Sequence, residues 1–263
     1  MHWKRDIEIL TPLFNRGAYQ DVPELRVPSI RGMVRWWFRA LGGTADEEKM
    51  AFGGMMKFGV RRAGEVMASR LVFRVSSAHL VRAVPNPPTL LHDSSKPSPQ
   101  AAFAPGATFS LEVFTRFGDL SPELERKVQN ALEVWLLLGA LGLRANRTGG
   151  NVWPANGTVP ETSAALRTRL TELGCRWPVM LTGLAVGKTL DQLRAAATDT
   201  VDGMPDVFGQ VRGGRIASKV KFKVMRLGQQ LRLLVFAPDQ HTLNQARDAL
   251  HGHRSQPETW QPI

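Results

Sequence analysis

The order of elements in this sequence predicts an α+β fold of the ferredoxin-like (RRM-like) βαββαβ kind. Three observations carry that expectation. Residues 2–10, 70–76 and 108–115 alternate apolar and polar side chains, the period-two signature of half-buried strands. Residues 29–41 and 122–141 place apolar side chains at helical spacing. The resulting order is strand, helix, strand, strand, helix, which lacks one strand of a complete βαββαβ unit.

The first strand puts Trp3, Ile7 and Ile9 on one face and Lys4, Asp6 and Glu8 on the other. A loop punctuated by Pro12, Gly17, Pro23 and Pro28 follows. The first helix runs from Ser29, a potential N-cap, to Leu41, with Gly42-Gly43 at its C-cap. Ile30, Met33, Val34, Trp37 and Leu41 should face a core. A short helix over residues 46–52 closes at Gly53-Gly54, and its three acids at 46–48 read as a solvated helix start. Prolines crowd residues 83–106, and a loop of that length is usually functional or disordered. Ser121-Pro122-Glu123 opens the long helix, with Ser121 as N-cap and Pro122 at the first position.

Composition shifts after Pro154, which divides the chain into domains 1–155 and 156–263. In the second, residues 161–173 and 189–197 suggest helices. Lys219, Lys221 and Lys223 alternate with Val220, Phe222 and Val224, giving a strand with one cationic and one apolar face, or an edge guarded by lysines. Gly228 turns it into a partner strand over 231–236, and a last helix starts after Asp239.

The 263 residues hold 34 Lys and Arg against 23 Asp and Glu, for a formal charge of +11. Such a balance favours nucleic acid or another anionic surface as partner. Cys175 is the only cysteine, so an intrachain disulfide is excluded, and a reducing, cytoplasmic setting is expected. The longest apolar run, near Val134 to Leu143, is too short to cross a bilayer, so no membrane partner is expected. The stretch from Gly183 to Thr189 imitates a phosphate-binding P-loop. It has three residues where that loop needs four before Gly-Lys-Thr, so no nucleotide or other cofactor is expected.

The first helix carries the most informative pattern. Arg31, Arg35 and Arg39 recur every four residues and form a stripe beside the core face. Gly32 lies next to that stripe and Trp36 just beyond it. A glycine in the first turns costs about 1 kcal/mol against alanine, which a bulky group approaching the bare backbone would explain. Stacked guanidiniums, a helix N-terminus and exposed backbone describe a seat for a phosphate chain. An ordinary amphipathic helix with solvated arginines fits the same pattern.

Two further segments contain no acid: 135–160 and 207–238. The first holds Gly139-x-x-Gly142-x-Arg144-x-Asn146-Arg147-x-Gly149-Gly150. Its glycines could bring amides near a phosphate, or serve only as a turn from helix to strand. The second holds Arg215, Lys219 and Lys221.

Leu10-Thr11-Pro12-Leu13-Phe14, Glu24-Leu25-Arg26-x-Pro28-Ser29-Ile30-Arg31-Gly32 and Arg35-Trp36-Trp37-x-Arg39-Ala40-Leu41 closely resemble the opening of the RAMP superfamily of CRISPR proteins. Within it they are similar to the first subunit of Cmr (type III-B) effector complexes. The glycine-rich loop and the segment from Phe208 to Phe222 are similar to later family segments, the loop only in part.

The resemblance implies tandem ferredoxin-like domains of the RAMP type. Because the chain is short for the family, a reduced second domain is expected. It implies a non-catalytic RNA-binding subunit near the 3′ end of the guide RNA, helping to capture target RNA beside other subunits of the complex. By position, Arg26, Ser29, Arg31, Gly32, Arg35, Trp36 and Arg39 would form the main RNA-facing surface, supported by Arg144, Asn146, Arg147, Gly149 and Gly150, with Arg215, Lys219 and Lys221 as further RNA-binding residues. The alternative is an endoribonuclease of the same superfamily that processes guide precursors, for which only Tyr19, His79 and His92 offer side chains.

Overall fold

The computed structural model describes residues 1–19, 21–55, 66–79, 87–89, 91, 101–157, 159–182, 189–198, 204–210, 214, 216–250 and 260–263. In chain order the first half contains β1 (His2–Ile9), α1 (Val27–Ala40), α2 (Ala45–Phe52), β2 (Gly54–Met55), β3 (Val66–Met67), β4 (Leu71–His79), β5 (Thr108–Thr115), α3 (Pro122–Leu138) and β6 (Val152–Pro154). The second contains α4 (Ser163–Glu172), β7 (Val179–Thr182), α5 (Leu190–Thr198), α6 (Pro205–Phe208), β8 (Lys221–Leu227), β9 (Gln230–Phe236), α7 (Gln240–Leu250) and β10 (Trp260–Pro262). Most of the Pro-rich stretch and the P-loop-like segment before Thr189 lie outside the described residues.

Two four-stranded antiparallel sheets result, ordered β4-β5-β1-β6 and β10-β7-β9-β8. The missing strand of the first unit is β6, which pairs with β1 through Ile7–Pro154 and Ile9–Val152. The second sheet repeats the order: its first strand lies between its third and fourth. The expected reduction of the second half is therefore absent at the level of strands and crossover helices, although β7 and β10 have only 4 and 3 residues.

Three local features differ from the sequence reading. Helix α1 begins at Val27, with Arg26 as an N-cap that makes no side-chain bond. Ser29 is thus inside the first turn rather than capping it. Pro28 is tolerated there because first-turn amides have no helical partner to lose. Helix α3 stops at Leu138 instead of Leu141, because Gly139 takes an extended conformation. Thr44 and Glu47 form a capping box at α2, so only part of its acidic start is solvated.

One core joins the helix side of the first sheet to the second sheet. Trp37, Trp135 and Trp153 are fully buried there with Leu181, Met225, Leu234 and Phe236. Alternate residues Phe222, Val224, Leu233 and Val235 point the other way, into a second core with α5, α6 and α7. The second sheet is thus covered on both faces. That overturns the picture of a solvated cationic face on β8. Lys223 is 1% exposed, and Lys221 is partly buried on the same side.

Candidate nucleic-acid interface

The first turns of α1 and the chain leaving α2 enclose a depression of about 470 Å³, lined by Arg31, Gly32, Arg35, Gly53, Met67 and Ser69 among others. A side chain built on Gly32 would meet nothing within 4 Å, so the bare backbone faces open space. Among the described residues no protein group explains this glycine. Arg31 donates from Nη2 to the Phe52 carbonyl, while its buried Nε has no partner among the described residues. Burial, then repulsion from Arg35, lowers its pKa.

Arg35 and Arg39 are not free in solvent. Glu48, 6% exposed, accepts from Arg35 Nε at 2.7 Å and from Arg39 Nη1 at 2.8 Å. One carboxylate between two guanidiniums, with Arg31 close enough to feel Arg35, leaves a surplus of positive charge among these four side chains and fixes Arg35 and Arg39 in place. The outer parts of Arg35 and Arg39 remain open, with side-chain exposures of 36% and 51%. The sequence reading put Glu48 in a solvated helix start, and the structure instead buries it between two arginines.

The three acid-free segments meet around Trp36. The Lys221 ammonium lies 4.8 Å from the Trp36 ring and donates to Asn146 Oδ1 at 2.9 Å. Such a cation over an aromatic face is attracted by the ring quadrupole. Burial, followed by repulsion from Arg147, pushes the Lys221 pKa down to about 8. Trp36 also meets Trp37 and Trp177 edge-on, tying α1 to the loop before β7.

Arg147 turns inward. Its guanidinium donates to the carbonyls of Phe208 and Val220 at 3.0 and 3.4 Å and sits 5.0 Å from the Phe222 ring. Gly149 and Gly150 are buried, and their amides bond Arg144 O and Pro12 O. A Cβ at either would come within 2.3 Å of a backbone oxygen, so these glycines close the loop on itself. Arg144, with φ 61°, is exposed beside them. Arg26 and Lys219 are exposed, Ser29 is half-buried, and Arg215 lies outside the described residues. So do His92 and the side chain of His79; Tyr19 is exposed. Among the described residues no group of three His, Cys, Asp or Glu could hold a metal.

A 38-residue segment, 14% of this chain, is 55% identical to the CRISPR system Cmr subunit Cmr1-2 of Pyrococcus furiosus, and it spans only 20% of that protein's length. The crystal structure of Cmr1 from Pyrococcus furiosus in its apo form superposes with a TM-score of 0.61 at 17% identity, covering 90% of this chain and 87% of that one. A chain in the cryo-EM structure of a type III-B Cmr-beta complex bound to cognate target RNA gives 0.56 at 10% identity, covering 94% and 98%. At those identities the likeness shows the fold. The family model for the RAMP superfamily matches residues 6–153. That is more than half of the chain, and the protein belongs to the RAMP superfamily.

Proposed function

We propose that this chain is a non-catalytic RNA-binding subunit of a type III-B (Cmr) RNA-guided effector complex. In this reading it sits near the 3′ end of the guide and helps to capture target RNA, in the cytoplasm, beside other Cmr subunits. Residues 1–155 and 156–263 act as its two ferredoxin-like domains. The observation that carries the reading is the depression at the start of α1. Backbone bared at Gly32 lies beside arginines that Glu48 holds in position. A sugar–phosphate strand needs charge and close approach rather than a reactive side chain. Arg26, Ser29 and Trp36 extend that surface along α1. Arg144 and Asn146 continue it on the glycine-rich loop, and Lys219 and Lys221 on the second unit.

Gly32→Glu tests this directly. The new side chain has room, and it improves helix propensity by a few tenths of a kcal/mol or more. It also places a carboxylate in the depression. The full chain should keep its melting temperature and lose about tenfold in affinity for single-stranded RNA. Unchanged affinity at moderate salt would remove the depression from the interface.

A further inference from the structure

The two halves share more than strand order. Ala51-Phe52-Gly53 and Val207-Phe208-Gly209 each end a helix. Each is followed, after an excursion of different length, by a matching run: Met67-Ala68-Ser69-Arg70-Leu71-Val72-Phe73 and Ile216-Ala217-Ser218-Lys219-Val220-Lys221-Phe222.

The geometry repeats with the sequence. Gly53 has φ 72° and ψ 167°; Gly209 has 76° and 171°. A Cβ on Gly53 would lie 2.6 Å from Met67 O and Ser69 N. On Gly209 it would lie 2.6 Å from Ile216 O and 2.7 Å from Ser218 N. Ser69 Oγ donates to Ala51 O and Leu71 O, and Ser218 Oγ to Val207 O and Val220 O. A guanidinium caps each Phe carbonyl: Arg31 on Phe52 and Arg147 on Phe208.

The repeat also leaves the same position uncovered. Met67 is 37% exposed and Ile216 41% exposed, two of only seven large apolar side chains so open among the described residues. Scattered exposed apolar residues need no explanation, but the same one exposed twice in a duplicated turn does. In the first copy Met67 borders the depression at Gly32. In the second, Ile216 lies in the acid-free stretch 207–238, with exposed Lys219 three residues on.

We propose that the Phe208-Gly209 turn, with Ile216 and Lys219, is a second seat for single-stranded RNA, equivalent by duplication to the one at Phe52-Gly53. The apolar side chain takes the face of a base or ribose, and the basic side chain takes phosphate. The two seats hold successive stretches of one strand. This inference rests on the RNA-binding reading above.

The test uses the full chain and a long oligouridylate, with affinity measured by fluorescence anisotropy for Ile216→Glu, Gly32→Glu and both together. Arg167→Glu on exposed α4 serves as control, since it removes more positive charge away from both turns. Ile216→Glu should weaken binding about tenfold, Arg167→Glu much less, and the double variant more than either single one. Wild-type protein photocrosslinked to a 4-thiouridine version of the RNA should yield adducts on the peptides bearing both Met67 and Ile216. That readout does not depend on any variant folding. Ile216→Glu binding no worse than the control, with no adduct near Ile216, overturns the second seat even where Gly32→Glu binds weakly. Loss from Ile216→Glu alone would uphold this seat and sink the α1 reading. Unchanged RNA affinity with lost association to a neighbouring subunit would assign the turn to a protein partner and overturn the proposal.

Discussion

The Lys223 ammonium donates to the Leu136 carbonyl at 2.7 Å, so a strand of the second sheet closes the last turn of α3. Gly139 O and Val152 O accept from the same Nζ at 2.9 and 2.8 Å. Helix α3 has no basic residue in its own last turn. A cation supplied from 87 residues away therefore meets the negative end of its dipole. Lys223→Met keeps the volume and leaves three buried carbonyls without a donor. It should cost about 2–3 kcal/mol in urea unfolding, an effect reduced by the relief of ammonium desolvation. A neutral result would mean that water replaces the lysine without loss.

How much of this was legible follows from how local each signal is. The core face of α1 was readable because helical spacing is written within one turn, and Ile30, Val34 and Trp37 are indeed at most 1% exposed. The alternation of Trp3, Ile7 and Ile9 was readable for the same reason. The alternation of Lys221 and Lys223 was equally visible, yet it does not say what covers the basic face. That depends on Asn146, Leu136, Gly139 and Val152, all far away in sequence. Glu48 looked like one of three first-turn acids, and only the packing of α2 on α1 shows which of them is enclosed by arginines. The duplication hides because its excursions differ in length, so no fixed period exists for a repeat search to find.

Three glycines should respond to alanine in opposite ways. Gly32 lies in a helix with open space around it, so Gly32→Ala should stabilise by about 0.5–1 kcal/mol. Gly53 and Gly209 combine positive φ with backbone 2.6 Å from a new Cβ. Each alanine there should cost about 3 kcal/mol or more, and the two costs should be similar because the turns are duplicates. Chemical denaturation of the three variants checks both sign and symmetry. A tolerant Gly209 beside an intolerant Gly53 would break the equivalence.

Arg35→Glu is a less clean probe of RNA binding than it looks from the helix alone. It would set a second carboxylate against Glu48, which is buried and would keep only Arg39. Destabilisation of about 2 kcal/mol is expected, whereas Gly32→Glu should melt at or above the wild-type temperature. Glu48→Gln keeps the shape while removing the charge. It should lower stability by about 1 kcal/mol and loosen both guanidiniums, so that RNA affinity falls despite the higher net charge. Tighter binding by Glu48→Gln would show that charge, not placement, governs the surface.

Lys221 links pH to both folding and binding, with opposite signs. Its folded pKa is pushed to about 8, below the 10.5 of a free lysine, by burial and by Arg147. Between those values the unfolded chain holds a proton that the folded chain has released. Folding stability therefore rises with pH across roughly 8 to 10.5, and the penalty of the buried ammonium is fully present below 8. Lys223, lowered in the same direction by its burial, contributes a rise of the same sign. An RNA phosphate near Trp36 and Lys221 would favour the charged amine and draw a proton back. RNA affinity should accordingly fall as pH goes from 7 to 9, and binding should take up protons near pH 8 in a buffer-ionisation calorimetry series. Lys221→Arg keeps its charge throughout this range, so it should flatten the affinity profile while leaving the Lys223 share of the stability rise. An affinity profile as steep in Lys221→Arg as in wild type would place the strand away from Trp36.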